Sequence, residues 1–346
     1  MDATTLPTAI DLLNALVLMT NFVFVPALAY GSQLALGALG VTLVFGILRF
    51  ANFAHGDLMA FATTIVILIT WGLQNLGISA GPLPTALIAL VPGIMITAIF
   101  AILIDKSVFS FYRKRRAAPV VMVIASVGVM FMLSAIVRFI MGTSDRRFTD
   151  GERFVVEARE FKEWSGLDEA LSIQTTQAIT VVVTLIVVIA MFVFLNRSRM
   201  GKAMRAYSDN EDLALLSGIN PDRVVMVTWI VAAALATIAG VLYGLDKSFK
   251  PFTYFQLLLP IFAAAILGGI GQPVGAVVGG YIVAFSEVMM TYAYKKFATY
   301  LLPDDLAPQG LLQFLSTDYK FAVSFIILVI VLLVRPTGIF RGAVIK

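Results

Sequence analysis

Asn52, His55 and Asp57 lie within six residues at the start of a long apolar run, and His55 is the only histidine of a chain that has no cysteine. A carboxamide, an imidazole and a carboxylate at that spacing could meet a solute in an unwound stretch of membrane helix. They could equally satisfy a helix break, with Asp57 suited to the first turn of the next helix. Glu287 is the deepest acid in a second apolar run. Unpaired polar groups in lipid cost on the order of several kcal/mol, so these side chains must face protein or water. Other chemistry is excluded by residue type. Without cysteine and with one histidine, no Cys/His zinc site, HExxH helix or thiol nucleophile can be built. The glycines at 268–280 contain no GxxxxGK[ST], and Gly269-x-Gly271 is followed by Val274 where a dinucleotide fingerprint needs glycine. There is no DDxxD or GxSxG motif either, so no catalytic set assembles, and neither metal nor nucleotide cofactor is expected on this chain.

The elements that must position these groups are membrane helices. The 346 residues are 60% hydrophobic and 13% charged, far from the roughly 25% charge of a soluble domain. The apolar runs predict spans near 10–29, 31–48, 57–75, 83–104, 118–141, 176–195, 224–245, 255–270, 274–292 and 320–334. This is an all-α polytopic bundle of about 8–10 crossings in one domain, 1–346. Gly31 separates the first two runs and GlyGlnPro at 271–273 the eighth and ninth, so either pair could be one broken or re-entrant element. The first residues, MDATTLPTAID, carry acids and no basic n-region, so no cleavable signal peptide is expected. The aromatics Trp71, Trp229, Tyr243 and Tyr254 fit an interfacial belt, and Asp105, Arg138 and Asp246 fit snorkelling or salt-bridged helix ends.

Charge sets the orientation. Lys106 to Ala117 holds Lys106, Arg113, Lys114, Arg115 and Arg116 without an acid, and 197–223 opens with Arg197, Arg199, Lys202 and Arg205. Both are expected in the cytoplasm. The intervening 143–175 loop has five basic against eight acidic residues and is expected outside. The tail after Arg335, with Arg341 and Lys346, then lies inside, and Arg49 favours two crossings by residues 10–48 with an internal start. The net charge of +4 reflects these loops and does not point to nucleic acid.

In the 197–223 segment, Ser208-Asp209-Asn210-Glu211 has the form of a capping box, which predicts a helix from Asp209 to Ser217 ended by Gly218. Such a short helix is unstable alone, and its Leu213, Ala214, Leu215 and Leu216 need a covering surface. A partner groove would supply one, as would the chain's own bundle or the lipid headgroups, to which the basic residues would anchor it.

The run GKAMRAYSDNEDLALLSGIN at 201–220 resembles the cytoplasmic coupling segment of permease subunits of bacterial ABC importers of the branched-chain amino acid, LivH type. GVTLVFGILRFANFAHGD at 40–57 and AAILGGIGQPVGAVVGG at 264–280 are similar to that family's early and late segments, in the same order. The resemblance implies an inner-membrane permease that moves branched-chain or other amino acids by alternating access. It implies a related permease subunit of LivM type, two ATP-binding subunits that use the ATP, and a periplasmic substrate-binding protein. It also implies that Gly201, Arg205, Asp209, Glu211, Leu213, Ala214, Leu216 and Gly218 form the ATPase-coupling segment. Related permeases also handle urea and short amides. An ion-coupled secondary transporter is the alternative class, though intramembrane acids are few. Asn52, His55 and Glu287 are the candidate residues of the translocation path. Gly271, Gly275 and Gly279 form a GxxxGxxxG row expected to pack helices closely. Trp164 and its charged surroundings in the 143–175 loop could form a surface element that meets the binding protein.

Overall fold

A computed structural model describes residues 9–302 and 310–340. Arg341, Lys346 and the first eight residues, on which the tail and signal-peptide expectations bear, lie outside the described residues. Nine helices among the described residues are long and apolar enough to cross a membrane. They are α1 (Ala9–Leu48), α2 (His55–Asn75), α3 (Ala86–Lys114), α4 (Pro119–Met141), α6 (Thr175–Arg197), α9 (Pro221–Lys247), α10 (Pro251–Gly268), α11 (Pro273–Thr291) and α13 (Thr317–Val334). Between them come a two-stranded ribbon, β1 (Phe154–Val156) with β2 (Ile173–Gln174), and four short helices. These are α5 (Ala158–Ser165), α7 (Arg199–Asp209), α8 (Glu211–Leu216) and α12 (Lys295–Leu301). The protein is a polytopic all-α membrane bundle.

Several starts follow from local chemistry. Pro119, Pro221, Pro251 and Pro273 open their helices, where the missing N–H would have no partner and φ is already helical. Within the spans, Thr63, Thr64, Thr70, Thr97, Thr228 and Thr237 each donate their hydroxyl to the carbonyl four residues back, which satisfies the groups that lipid cannot.

α1 lies at the centre, packed on α11, α9, α10 and α6, and it is buried all round from Ala29 to Val44. It is one helical element. Gly31 does not divide it; the irregularity is a π turn at Thr20–Phe24. A buried glycine facing the Tyr281 ring serves close packing, so residues 10–48 cross once instead of twice. The GlyGlnPro break is real, and α10 and α11 are separate helices packed against each other.

Long-range hydrogen bonds sort the connections into two faces. One collects Arg49, Ser208 and Gly46, and Ile339 and Phe340, whose N–H groups donate to Leu267 and Gly268 carbonyls (2.8 and 3.1 Å). It carries the basic segments. The other, acidic face joins Arg146 to Phe249, Glu152 to Pro82, Asn14 to Glu169 and Asn21 to Ser172. The start of α1 therefore sits on the acidic face, opposite to what Arg49 suggested. The aromatic belt is also revised. Trp229, Tyr243 and Tyr254 are buried inside the bundle and only Trp71 is half-buried, because Tyr254 donates to the Gly240 carbonyl (2.8 Å) and Trp229 to Asp105 (2.9 Å). Buried partners replaced the headgroup layer as the place for the polar ends.

Candidate coupling surface and intramembrane polar residues

The segment after α6 folds as two helices joined at a sharp corner. Ser198 caps α7, its hydroxyl accepting the Gly201 N–H at 2.8 Å, and Gly201 is buried where a Cβ would overlap the Phe194 carbonyl of α6. At Asn210 the backbone turns extended, and its side-chain oxygen accepts the Leu213 N–H at 3.0 Å, which starts α8. The predicted Ser208–Glu211 capping box does not form. Ser208 donates instead to the Gly46 carbonyl at 3.0 Å, and Glu211 accepts the Tyr207 hydroxyl at 2.6 Å. The signature failed because α7 already runs helically through Asp209, so Ser208 lies in a last turn and its hydroxyl faces the end of α1. Burial, with the Glu211 carboxylate beside it, pushes the Tyr207 phenol upward. The end of α8 is as expected from Gly218, which has φ +78° and takes the chain back so that Ile219 N–H meets the Ala214 carbonyl (3.1 Å).

α8 turns Ala214 inward and buries it, while Leu213 is 61% and Leu216 86% exposed. Arg205, Asp209 and Glu211 are exposed beside them. Behind this surface, the Arg49 guanidinium donates to the Ser208 carbonyl, so the last turn of α1 is hydrogen-bonded twice to the corner of the segment. Sequence reasoning used Arg49 only for orientation. Its partner is 159 residues away, and no local signal marks it.

A second polar device lies on the same face. Arg113 grips Asp105 with both nitrogens (2.9 and 3.1 Å), and Trp229 Nε1 donates to the same carboxylate at 2.9 Å. The Phe109 ring stacks on Trp229 with centroids 5.3 Å apart. A π turn at Asp105–Phe109 carries α3 onward to Lys114, so most of the basic 106–117 segment is helix instead of loop.

Deeper in the bundle, residues 49–54 are unwound and turn inward. His55 lies against Gly40, eight residues or about 12 Å of helix before the end of α1, and a Cβ on Gly40 would fall 2.6 Å from the imidazole Cε1. Asn52 is committed locally, its side-chain oxygen accepting the Ala54 N–H (3.1 Å) and its carbonyl the His55 N–H (3.3 Å). Asp57 does not cap α2. Its carboxylate faces Ser134, with Arg138 beyond, on α4. The His55 ring faces the Gly37 carbonyl, yet neither nitrogen makes a well-formed hydrogen bond. Glu287, on α11, accepts the Ser324 hydroxyl of α13, and its carboxylate also faces the Tyr30 hydroxyl, though its other oxygen makes no well-formed hydrogen bond. The three candidate path residues are thus buried in two places, Asn52 with His55 at the unwound stretch and Glu287 at the α11–α13 contact.

In the glycine row, Gly275 and Gly279 lie where a Cβ would overlap the Gly268 and Ala264 carbonyls of α10. Gly271 is outside the helix, in the turn at φ +85° with open space around it, so the row packs through two members and not three. Pro273 ends that turn and opens α11, as the GlyGlnPro break implied and within one residue of the expected start at 274.

The model of the family described as branched-chain amino acid transport system, permease component, matches residues 23–332. The chain belongs to that family. Its similar relatives include the high-affinity branched-chain amino acid transport system permease protein LivH of Escherichia coli, 33% identical over 313 residues, 89% of this chain and 91% of that one. BraD of Pseudomonas aeruginosa, a permease protein of the same kind of system, is 29% identical over 91% of this chain and 94% of its own. The permease protein LivM of Salmonella typhimurium is 26% identical over 150 residues, 40% of this chain and 35% of that one. The chain spans about nine-tenths of the length of LivH and BraD, and the members of this family are membrane transport subunits.

Proposed function

We propose that this chain is the permease subunit of an ATP-driven importer in a bacterial inner membrane, moving branched-chain and other amino acids by alternating access. ATP is hydrolysed by separate ATP-binding subunits, a LivM-type chain supplies the second half of the path, and a periplasmic binding protein delivers the solute. The basic face, with the C-terminal tail, is cytoplasmic, as the excess of Lys and Arg there supports.

The observation that carries this reading is the pair Leu213 and Leu216, exposed on a helix whose corner is hydrogen-bonded to the end of α1. An exposed apolar pair on a short helix suits a partner groove. The bonded corner then links movement of that partner to the central helix. A partner drives the permease only if it binds the two access states with different affinity, so the contact must be both tight and stiff. Inside the bundle, Asn52 is consumed by its own turn, which leaves His55 and Glu287 as the path candidates with polar atoms to offer a solute.

The test is uptake by the complete transporter in proteoliposomes loaded with ATP and supplied with binding protein. Leu213→Asp with Leu216→Asp should abolish uptake while the chain still inserts. Normal uptake in that variant removes the coupling role, and ATP hydrolysis by the chain alone removes the subunit assignment. Uptake that continues without ATPase subunits and collapses with an uncoupler would establish an ion-coupled carrier instead.

A further inference from the structure

A cleft of about 410 Å³ opens on the acidic face between residues 147–153, the start of α6, and the last turn of α9 through Ser248. Among its charges, Lys247 is paired with Asp246 at 3.3 Å, and the described residues show no other ion pair within the lining. Asp150 is consumed by the Thr85 N–H and hydroxyl (2.7 and 2.6 Å) and by Gln74 (2.9 Å). Arg147 is exposed and makes no hydrogen bond or ion pair among the described residues. Arg153 sits with its guanidinium carbon 5.1 Å from the Phe154 ring centre, and among the described residues it makes no ion pair. Glu152 is exposed at the rim.

Asp246 comes from α9. Its side chain is 3% exposed, one oxygen is 3.3 Å from the Lys247 ammonium, and the other is buried with no hydrogen-bond partner. The next residue but one, Ser248, holds φ 74° and ψ 159°, a region that only glycine enters freely. A buried carboxylate oxygen without a donor is costly unless a donor or cation arrives. Guanidinium groups bind carboxylates through their planar fork.

We propose that this cleft binds the zwitterionic head of an α-amino acid, with Asp246 receiving the ammonium and Arg147 and Arg153 the carboxylate. The proposal rests on the amino-acid transport reading and adds a subsite on the permease itself. The polar groups address only the head, and Leu245 is the one aliphatic side chain in the lining. The subsite therefore accepts α-amino acids as a class and does not select among their side chains.

The test uses the assembled permease and ATPase subunits in nanodiscs without binding protein, with radiolabelled leucine as probe in a scintillation-proximity assay. Saturable binding is expected, displaced by unlabelled leucine and by alanine. Neither 4-methylpentanoate, which lacks the ammonium, nor 3-methylbutylamine, which lacks the carboxylate, should compete at about tenfold higher concentration. Asp246→Asn and Arg147→Gln should each weaken leucine binding about tenfold or more, and the exposed position of Arg147 keeps its variant free of folding effects. Displacement by the amine alone would make the cleft a simple cation site and overturn the proposal, as would unaltered binding in Arg147→Gln or no saturable binding at all. Uptake separates this from the transport reading. A transporter that takes up no amino acid yet binds leucine through Asp246 refutes transport and keeps the subsite; normal uptake with unaltered binding in both variants refutes the subsite alone.

Discussion

Two short helices ride on this bundle, one at each face, and they are held in opposite ways. α8 has one buried residue, Ala214, and follows a corner whose Ser208 is bonded through its hydroxyl and its carbonyl to Gly46 and Arg49 of the α1 end. α5 has no buried residue, and its Trp164 is 85% exposed. Its segment is fastened at the flanks, among the described residues by the β1–β2 ribbon, by the Ser172 N–H on Asn21, by the Glu152 N–H on Pro82, and by Glu169, which takes Lys296 at 2.6 Å and the Tyr300 hydroxyl at 2.6 Å. Gly151 and Gly166 turn the chain with positive φ on either side of α5. Both helices expose large apolar groups, so exposure alone does not distinguish them. The difference is stiffness: a push on α8 reaches the central helix through two hydrogen bonds, whereas a push on α5 is absorbed by its turns.

The widest separation is expected from paired charges on the exposed groups. Leu213→Asp with Leu216→Asp should lower uptake by about a hundredfold, the size of a lost docking hot spot of roughly 3 kcal/mol. The matching Phe161→Asp with Trp164→Asp pair should change it by no more than about threefold, measured at saturating binding protein. Equal losses in both would end the distinction. Next in size, Arg49→Ala cuts the link behind α8 without touching its surface, so uptake should fall about tenfold while the ATPase subunits still co-purify. Loss of co-purification would move Arg49 into the docking surface.

At the acidic face the effects belong to stability. Glu169→Gln removes the charge that holds α12, and the melting midpoint in detergent should drop by about 2–4 °C with uptake unchanged. The smallest effect is one of pH. Burial alone would raise Asp150 and Glu169, but hydrogen bonds from Thr85 and Gln74, and from Lys296 and Tyr300, outweigh it and hold both carboxyls below their usual value. A depressed folded-state pKa means that the stabilisation is complete above the unfolded value near ~4 and is lost as pH falls through the lowered values. Amide exchange in 76–85 and 142–174, corrected for intrinsic rate, should therefore be flat from pH 7 to 5 and accelerate only below about pH 4. The Arg49–Ser208 corner, built from a guanidinium and a carbonyl, should show no step there.

The same contrast explains what could be foreseen. Gly218 ended α8 as its position implied, because a left-handed C-terminal residue is a local requirement. The Ser208 capping box was equally local and failed, since a longer-range partner, the Gly46 carbonyl 162 residues away, competed for the hydroxyl. Trp229 and Tyr254 looked interfacial for the same reason: their polar ends were assigned to headgroups when Asp105 and Gly240 were waiting inside. Gly275 and Gly279 pack as their spacing suggested, while Gly271, four residues earlier in the same row, fell in a turn because Pro273 restarts the helix.

By itself the amino-acid sequence determined that the chain is a membrane bundle, roughly where it crosses, which loops share a face, and to which family it belongs. Run length, charge asymmetry and short motifs carry those properties, and each is local. Only the tertiary structure decided that α1 crosses once, that Asp105 is gripped by Arg113 and Trp229, that α8 is tied to α1, and that Asp246 keeps an unpartnered oxygen beside a cleft. Each of those depends on which side chain arrives from a distant helix, and in a bilayer, where water cannot substitute for a missing partner, that arrival settles the fate of every polar group.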